Sequence, residues 1–143
     1  MLAKLSPSHV GTMAVATMIA GVLIALFAAA WTPANPAKKI TLVYVGADNC
    51  SPCEIWLHNQ GNAFRNSTKF RRVNYREVKS SSLFDVLKDE NWPADLRIYR
   101  EAIRQEAGVP LWLVIADEQL VMQSSGLTQW QMAVLPKIKS LLR

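Results

Sequence analysis

The sequence predicts an α/β domain, a central mixed sheet of about four strands flanked by helices, behind an N-terminal apolar segment. Three observations predict it. Residues 39–45 and 111–115 are short, β-branched and almost continuously apolar, the character of strands buried on both faces of a sheet. Between and after them lie stretches whose apolar residues recur at helical spacing. Ahead of everything, Val10 to Trp31 offers twenty-two positions without Asp, Glu, Lys or Arg.

Length and composition narrow the class further. The 143 residues make one domain rather than several, and sixteen Lys/Arg against eleven Asp/Glu leave a net charge of +5. Without the apolar segment about 112 residues remain to fold. Nineteen per cent charged residues with five Trp exclude a disordered chain, and only two Cys exclude a small disulfide-stapled scaffold.

At 1.5 Å per residue, the segment 10–31 is long enough to cross roughly 30 Å of hydrocarbon as a helix. It reads as an uncleaved anchor, or as an export signal cut near Ala28-Ala29-Ala30, although the run is longer than a signal normally needs. Lys4 on one side and Lys38 with Lys39 on the other nearly tie the positive-inside count. The short stub 1–9 therefore decides the orientation and is expected in the cytoplasm. Residues 10–31 are expected to pass once through the cytoplasmic membrane. The Pro-rich 32–38 is expected as a stiff linker, and 39–143 as a domain in the periplasm or extracytoplasmic space.

Within that domain, the first strand, 39–45, breaks at Gly46-Ala47-Asp48-Asn49. A helix follows from Pro52, with Cys53, Trp56, Leu57, Gln60 and Phe64 near one face and Gly61 weakening its later turns. Phe70 to Val78 alternates polar and apolar residues and is expected as a strand with one wet face, closing a β-α-β unit. Asn91 is placed to cap, and Pro93 to start, a helix running to about Gln105 with a stripe of Leu96, Tyr99 and Ile103. Gly108-Val109-Pro110 leads into the strand 111–115. A turn at Ala116-Asp117-Glu118-Gln119 and a strand from Leu120 to Gln123 complete a hairpin. Thr128 with Gln131 has the form of a capping box for a last helix that buries Trp130, Val134, Ile138 and Leu141 and is kinked by Pro136. The order is strand, helix, strand, helix, strand, strand, helix.

Both cysteines fall in one motif, Cys50-Ser51-Pro52-Cys53, where a buried strand ends and a helix begins. Two intervening residues, Ser51 and Pro52, bring the sulfurs within bonding range, so the pair can cycle between dithiol and disulfide. Cys50 at the cap meets unpaired backbone N–H groups and the positive end of the helix dipole, which stabilise a thiolate. Cys53, one turn inward, is expected to be shielded and to act second. A zinc site would need two more ligands, and the chain has no other Cys and only His9 and His58. A structural cysteine pair is the other bland reading. His58 falls on a different face from the sulfurs and is assigned no role.

The strand 41–45, the Cys50-Ser51-Pro52-Cys53 turn, Gly108-Val109-Pro110 before a buried strand, and the hairpin ending at Gly126 together resemble the thioredoxin-like superfamily over residues 38–143. The resemblance implies a cis Val109–Pro110 bond beside the cysteine pair, with the Val109 backbone pairing to an extended substrate peptide. Three departures stand out. Asn49 replaces the aromatic residue that often precedes the first Cys. Tyr44 stands where thioredoxins keep a buried acid, and Tyr is a poor base at neutral pH. The span from Lys79 to Gly108 is longer than in a minimal thioredoxin.

The motif spacer contains no His, which leans towards a reductant or isomerase rather than an oxidant. The expected function is thus a thiol–disulfide oxidoreductase acting on disulfides of exported proteins, with Cys50 and Cys53 catalytic, Val109 and Pro110 binding substrate, and no bound cofactor. By resemblance a membrane thiol carrier supplies electrons. The competing reading is a copper-binding or assembly module of the same fold without turnover, since Cu(I) accepts two thiolates. Met122 and His58 are its only nearby candidates for a third ligand. Arg65, Lys69, Arg71, Arg72, Arg76 and Lys79 form a basic run that reads as a solvated surface rather than a nucleic-acid site.

Overall fold

The computed structural model describes residues 38–104 and 107–143. The expected stub 1–9, membrane segment 10–31 and nearly all of the 32–38 linker lie outside the described residues. Among the described residues no helix is long and apolar enough to cross a membrane.

Four strands, β1 (Ile40–Ala47), β2 (Asn74–Ser80), β3 (Leu111–Ala116) and β4 (Gln119–Ser125), form one mixed sheet in the order β2-β1-β3-β4. β1 runs parallel to β2 and antiparallel to β3, and β3 runs antiparallel to β4. The two central strands are buried at every position, which is why they carry the continuous apolar runs; the edge strands are half wet. The hairpin turns on Asp117 (φ 49°) and Glu118 (φ 67°), two consecutive left-handed residues whose twist suits a two-residue connection. Its tip is clasped to the start of β1. The Lys39 N–H donates to Asp117 Oδ1, and the Asp117 N–H donates to the Lys39 carbonyl, each at 2.9 Å.

After β1 the chain is helical from 51 to 65: α1 (Ser51–Trp56), a π turn (Leu57–Gly61) and α2 (Asn62–Arg65). Gly61 is not simply a weak point. A Cβ at this position would lie 2.9 Å from two indole carbons of Trp56 and 3.0 Å from its carbonyl oxygen, so the wide turn closes where only a glycine fits beneath the ring.

Three expectations need correction. The strand proposed from Phe70 begins only at Asn74. Phe70–Arg72 is a 3₁₀ turn, because the Phe70 N–H is taken by Ser67 Oγ (3.3 Å) and the Arg72 and Val73 N–H groups by the carbonyls of Lys69 and Phe70. The long helix proposed for 93–105 is instead a 3₁₀ turn at Ala94–Leu96 followed by the short α3 (Arg97–Glu101), and the stretch ahead of it holds two further 3₁₀ turns at Leu83–Asp85 and Asp89–Asn91. Asn91 caps nothing there; its side-chain amide donates to the Asp85 carbonyl at 2.6 Å. The apolar stripe nonetheless packs, with Leu96 and Ile103 buried and Tyr99 against the core.

The capping box at Thr128 is also not made. The last helix opens with a π turn (Trp130–Val134) that has no side-chain cap, entered by the Gln129 N–H donating to the Gly126 carbonyl at 3.0 Å. α4 (Leu135–Leu141) continues it without a break, and Pro136, which has no N–H to donate, stands just after the π turn. Trp130, Val134 and Ile138 are buried beneath it, as the periodicity predicts.

Candidate functional site

Cys50 and Cys53 are joined by a disulfide at the joint between β1 and α1. The Asp48 N–H donates to the Ser80 carbonyl (2.9 Å), holding the end of β1 against the end of β2 as the chain leaves the sheet. Cys50 is the N-cap of α1, with extended backbone (φ −116°, ψ 98°). Its Sγ accepts the Cys53 N–H at 3.2 Å, and its carbonyl accepts the N–H groups of Cys53 and Glu54. Cap position, not sequence proximity alone, therefore aims the Cys53 amide at this sulfur. Pro52 occupies the first turn, where it sacrifices no hydrogen bond, and Ser51 and Pro52 are exposed. Cys53 is 1% exposed, as expected of the inner thiol, but Cys50 is only 3% exposed. Burial does not rank the two sulfurs in this disulfide state; the cap contact distinguishes them.

The topology brings the other sequence-derived candidates to the same end of the sheet. Leu111, first residue of β3, pairs with Val45 near the end of β1, so Val109 and Pro110 lie at the pole that carries Cys50. The Val109–Pro110 peptide is cis. The Pro110 carbonyl accepts the Gly126 N–H at 2.9 Å and Pro110 is buried, whereas Val109 is half-buried. Among the described residues, the Val109 N–H and C=O make no backbone hydrogen bond.

Beneath the helix lies an aromatic cluster. Tyr44 stacks on Trp56 (centroids 4.8 Å, interplanar angle 13°), and Trp56 meets Trp112 and Trp130 edge-on at 5.4 and 4.9 Å. The Tyr44 ring lies across Gly46, where a Cβ would come within 2.7 Å of its Cζ. Burial, reinforced by the negative charge of Glu77 and opposed by Arg65, pushes the Tyr44 hydroxyl up to about 12. It is protonated at neutral pH and cannot serve as the base that a carboxylate in its place would be. Tyr44 also lines a cavity of about 240 Å³ beside α1, with Ala47, Asp48, Glu54, Leu57, His58 and Lys79.

His58 thus faces this cavity, while Met122 sits on β4 opposite Val114. Among the described residues no three His, Cys, Asp or Glu gather in a metal-holding group. Four members of the basic run are engaged within the chain. Arg65 donates to the Leu57 carbonyl, Arg72 to that of Leu142, Arg76 pairs with Asp95, and Lys79 with Glu77.

Sequence reasoning noted Asn49 only for the aromatic it replaces. In the structure its side chain is a tether: Asn49 Oδ1 accepts the Leu83 N–H at 2.9 Å. No local pattern announces a contact across 34 residues.

A β-α-β unit followed by an antiparallel hairpin, the order β2-β1-β3-β4 and a Cys-x-x-Cys disulfide at a helix start define a thioredoxin-like fold with a redox-type cysteine pair. That combination supports thiol–disulfide oxidoreductase chemistry in general. No protein-family profile matches the chain, and no curated protein matches it in sequence. Among solved structures it is similar to one described as "Solution Structure of a Thioredoxin-like Protein in the Oxidized Form". The identity is 18%, the match covers 73% of this chain and 78% of that one, and the TM-score is 0.47. The assignment of fold rests on strand order and the position of the cysteines rather than on this likeness.

Proposed function

We propose that this chain reduces or isomerises disulfides of exported proteins through the Cys50–Cys53 pair, from an N-terminal anchor in the cytoplasmic membrane. The observation that carries the chemistry is the Cys53 N–H directed at Cys50 Sγ from the start of the helical run, a contact that favours a thiolate on that sulfur once the pair is reduced. The Cys50 thiolate attacks one sulfur of the substrate disulfide. A mixed disulfide forms, and the displaced substrate thiolate takes up a proton. Cys53, deprotonated, then attacks Cys50 Sγ, closing the internal disulfide and releasing the second substrate thiolate. Two electrons pass from the cysteine pair to the substrate, and an external dithiol donor, by resemblance a membrane thiol carrier, restores them.

Val109 and Pro110 are given the role of substrate dock. Among the described residues the Val109 N–H and C=O have no backbone partner, which suits the addition of an extended peptide strand next to the sulfurs. No bound cofactor enters this scheme. Periplasmic or extracytoplasmic location and the membrane donor rest on the apolar segment 10–31 and on resemblance.

Turnover of a disulfide-containing model protein by the reduced chain tests the reading. Cys50→Ser is expected to abolish it, and Cys53→Ser to accumulate a mixed disulfide visible as a non-reducing gel band. A wild-type chain that binds one Cu(I) and turns over no disulfide would replace this reading with the copper-handling one.

A further inference from the structure

Phe84 is 92% exposed and Leu83 beside it 44%. A single apolar side chain in water means little, but this one is held there. Leu83–Asp85 is a 3₁₀ turn whose cap, Ser82, accepts the Phe84 N–H on its Oγ (3.3 Å) and the Asp85 N–H on its carbonyl (3.0 Å). Ser80 Oγ in turn accepts the Ser82 N–H at 3.2 Å. The turn is fastened to the residues that precede the first cysteine, through Leu83 N–H to Asn49 Oδ1 and Asp48 N–H to the Ser80 carbonyl. Asn49 and Cys50 are neighbours, with Cα atoms about 3.8 Å apart.

Strand order completes the placement. β1 lies between β2 and β3; β2 ends, and β3 begins, at the pole where β1 ends. The Ser80–Phe84 turn, Cys50 and Val109 therefore stand at one pole, in the order of the strands they adjoin. For a polypeptide that pairs with Val109 and presents its disulfide to Cys50, the Leu83–Phe84 turn lies on the far side of the cysteine.

We infer that Leu83 and Phe84 form a substrate-selecting shelf for a polypeptide disulfide flanked by an apolar or aromatic side chain, in the place left polar by Asn49. This inference rests on the oxidoreductase reading above and deepens it.

The test uses the full chain in its reduced form and three substrates: a peptide disulfide with Leu and Phe beside its cysteines, the same peptide with Ser and Asp there, and bis(2-hydroxyethyl) disulfide. Phe84→Ser is expected to lower kcat/KM for the apolar peptide by about tenfold, the scale of partly covering a phenyl ring. The other two substrates should change by less than about twofold, on the same scale. Phe84→Leu should restore most of the loss, and Asn49→Ala, which frees the turn, should reproduce part of it. An equal fall on all three substrates, or no fall on any, overturns the inference. A wild-type chain inert towards all three overturns the oxidoreductase reading beneath it.

Discussion

Gly61→Ala separates local helix propensity from packing, because the two demand opposite signs. In an open helix the added methyl would stabilise by about 1 kcal/mol. Here it would come within 2.9 Å of the Trp56 ring and 3.0 Å of the Trp56 carbonyl. The ring has nowhere to go: it is fully buried, stacked on Tyr44 and met edge-on by Trp112 and Trp130. Overpacking of this kind costs about 1–3 kcal/mol, and a ring clamped on three sides places it in the upper part of that range. The net expectation is a loss of about 1–2 kcal/mol, or a fall in melting temperature of roughly 5–15 °C for a domain of this size. Thermal unfolding followed by circular dichroism reads it directly. In a Trp56→Leu background only the contact with the residue-56 carbonyl remains, so the same substitution should cost less, and the difference between backgrounds isolates the ring's share of the clash. A Gly61→Ala chain as stable as the parent, or more so, refutes the reasoning.

Alkaline pH should act through Tyr44. Its folded titration lies near 12 against 10.0 when unfolded, so the stability it contributes is whole below pH 10 and is lost as pH rises towards 12. Burial and the hydrogen bond to Glu77 raise Tyr75 as well, in the same sense. Denaturation midpoints measured from pH 9 upward should fall less steeply in Tyr44→Phe than in the parent; an unchanged slope would show that the hydroxyl titrates normally. The Cys50–Cys53 bond closes a loop with a sequence separation of three, which in the chain-entropy picture limits its stabilisation to about 2 kcal/mol. Dithiothreitol should leave the fold intact with a small drop in unfolding midpoint, and a reduced chain without native circular dichroism would contradict a redox role for the pair.

Much of this architecture was legible because burial on both faces leaves its mark in composition. Ile40–Ala47 and Leu111–Ala116 could hardly be anything but central strands, and the Cys-x-x-Cys between such a strand and Trp56 announced both the helix and the chemistry. What escaped was whatever depends on contacts between distant residues. The π turn at Leu57–Gly61 exists because of an indole above a glycine, and neither residue alone signals it. The region 83–101 has helical composition, yet side chains of Ser82 and Asn49 and the backbone before Trp92 satisfy its N–H groups in short turns instead of one helix. Phe70–Arg72 alternates like a strand but is captured by Ser67 one turn earlier. The cap role of Cys50 followed from its position, whereas its near-complete burial could be seen only once the surrounding pole was assembled.

The clasp between Lys39 and Asp117 has a mechanical side. β1 is eight residues long, so its first residue and the end from which the chain leaves for Cys50 stand roughly 23 Å apart. A pull transmitted through Lys38 meets a strand already laced to the hairpin and loads it in shear, ladder against ladder, rather than unzipping an edge. The clasp and the disulfide thus sit at opposite ends of one strand, and a load entering at Lys38 is shared along the ladders between them.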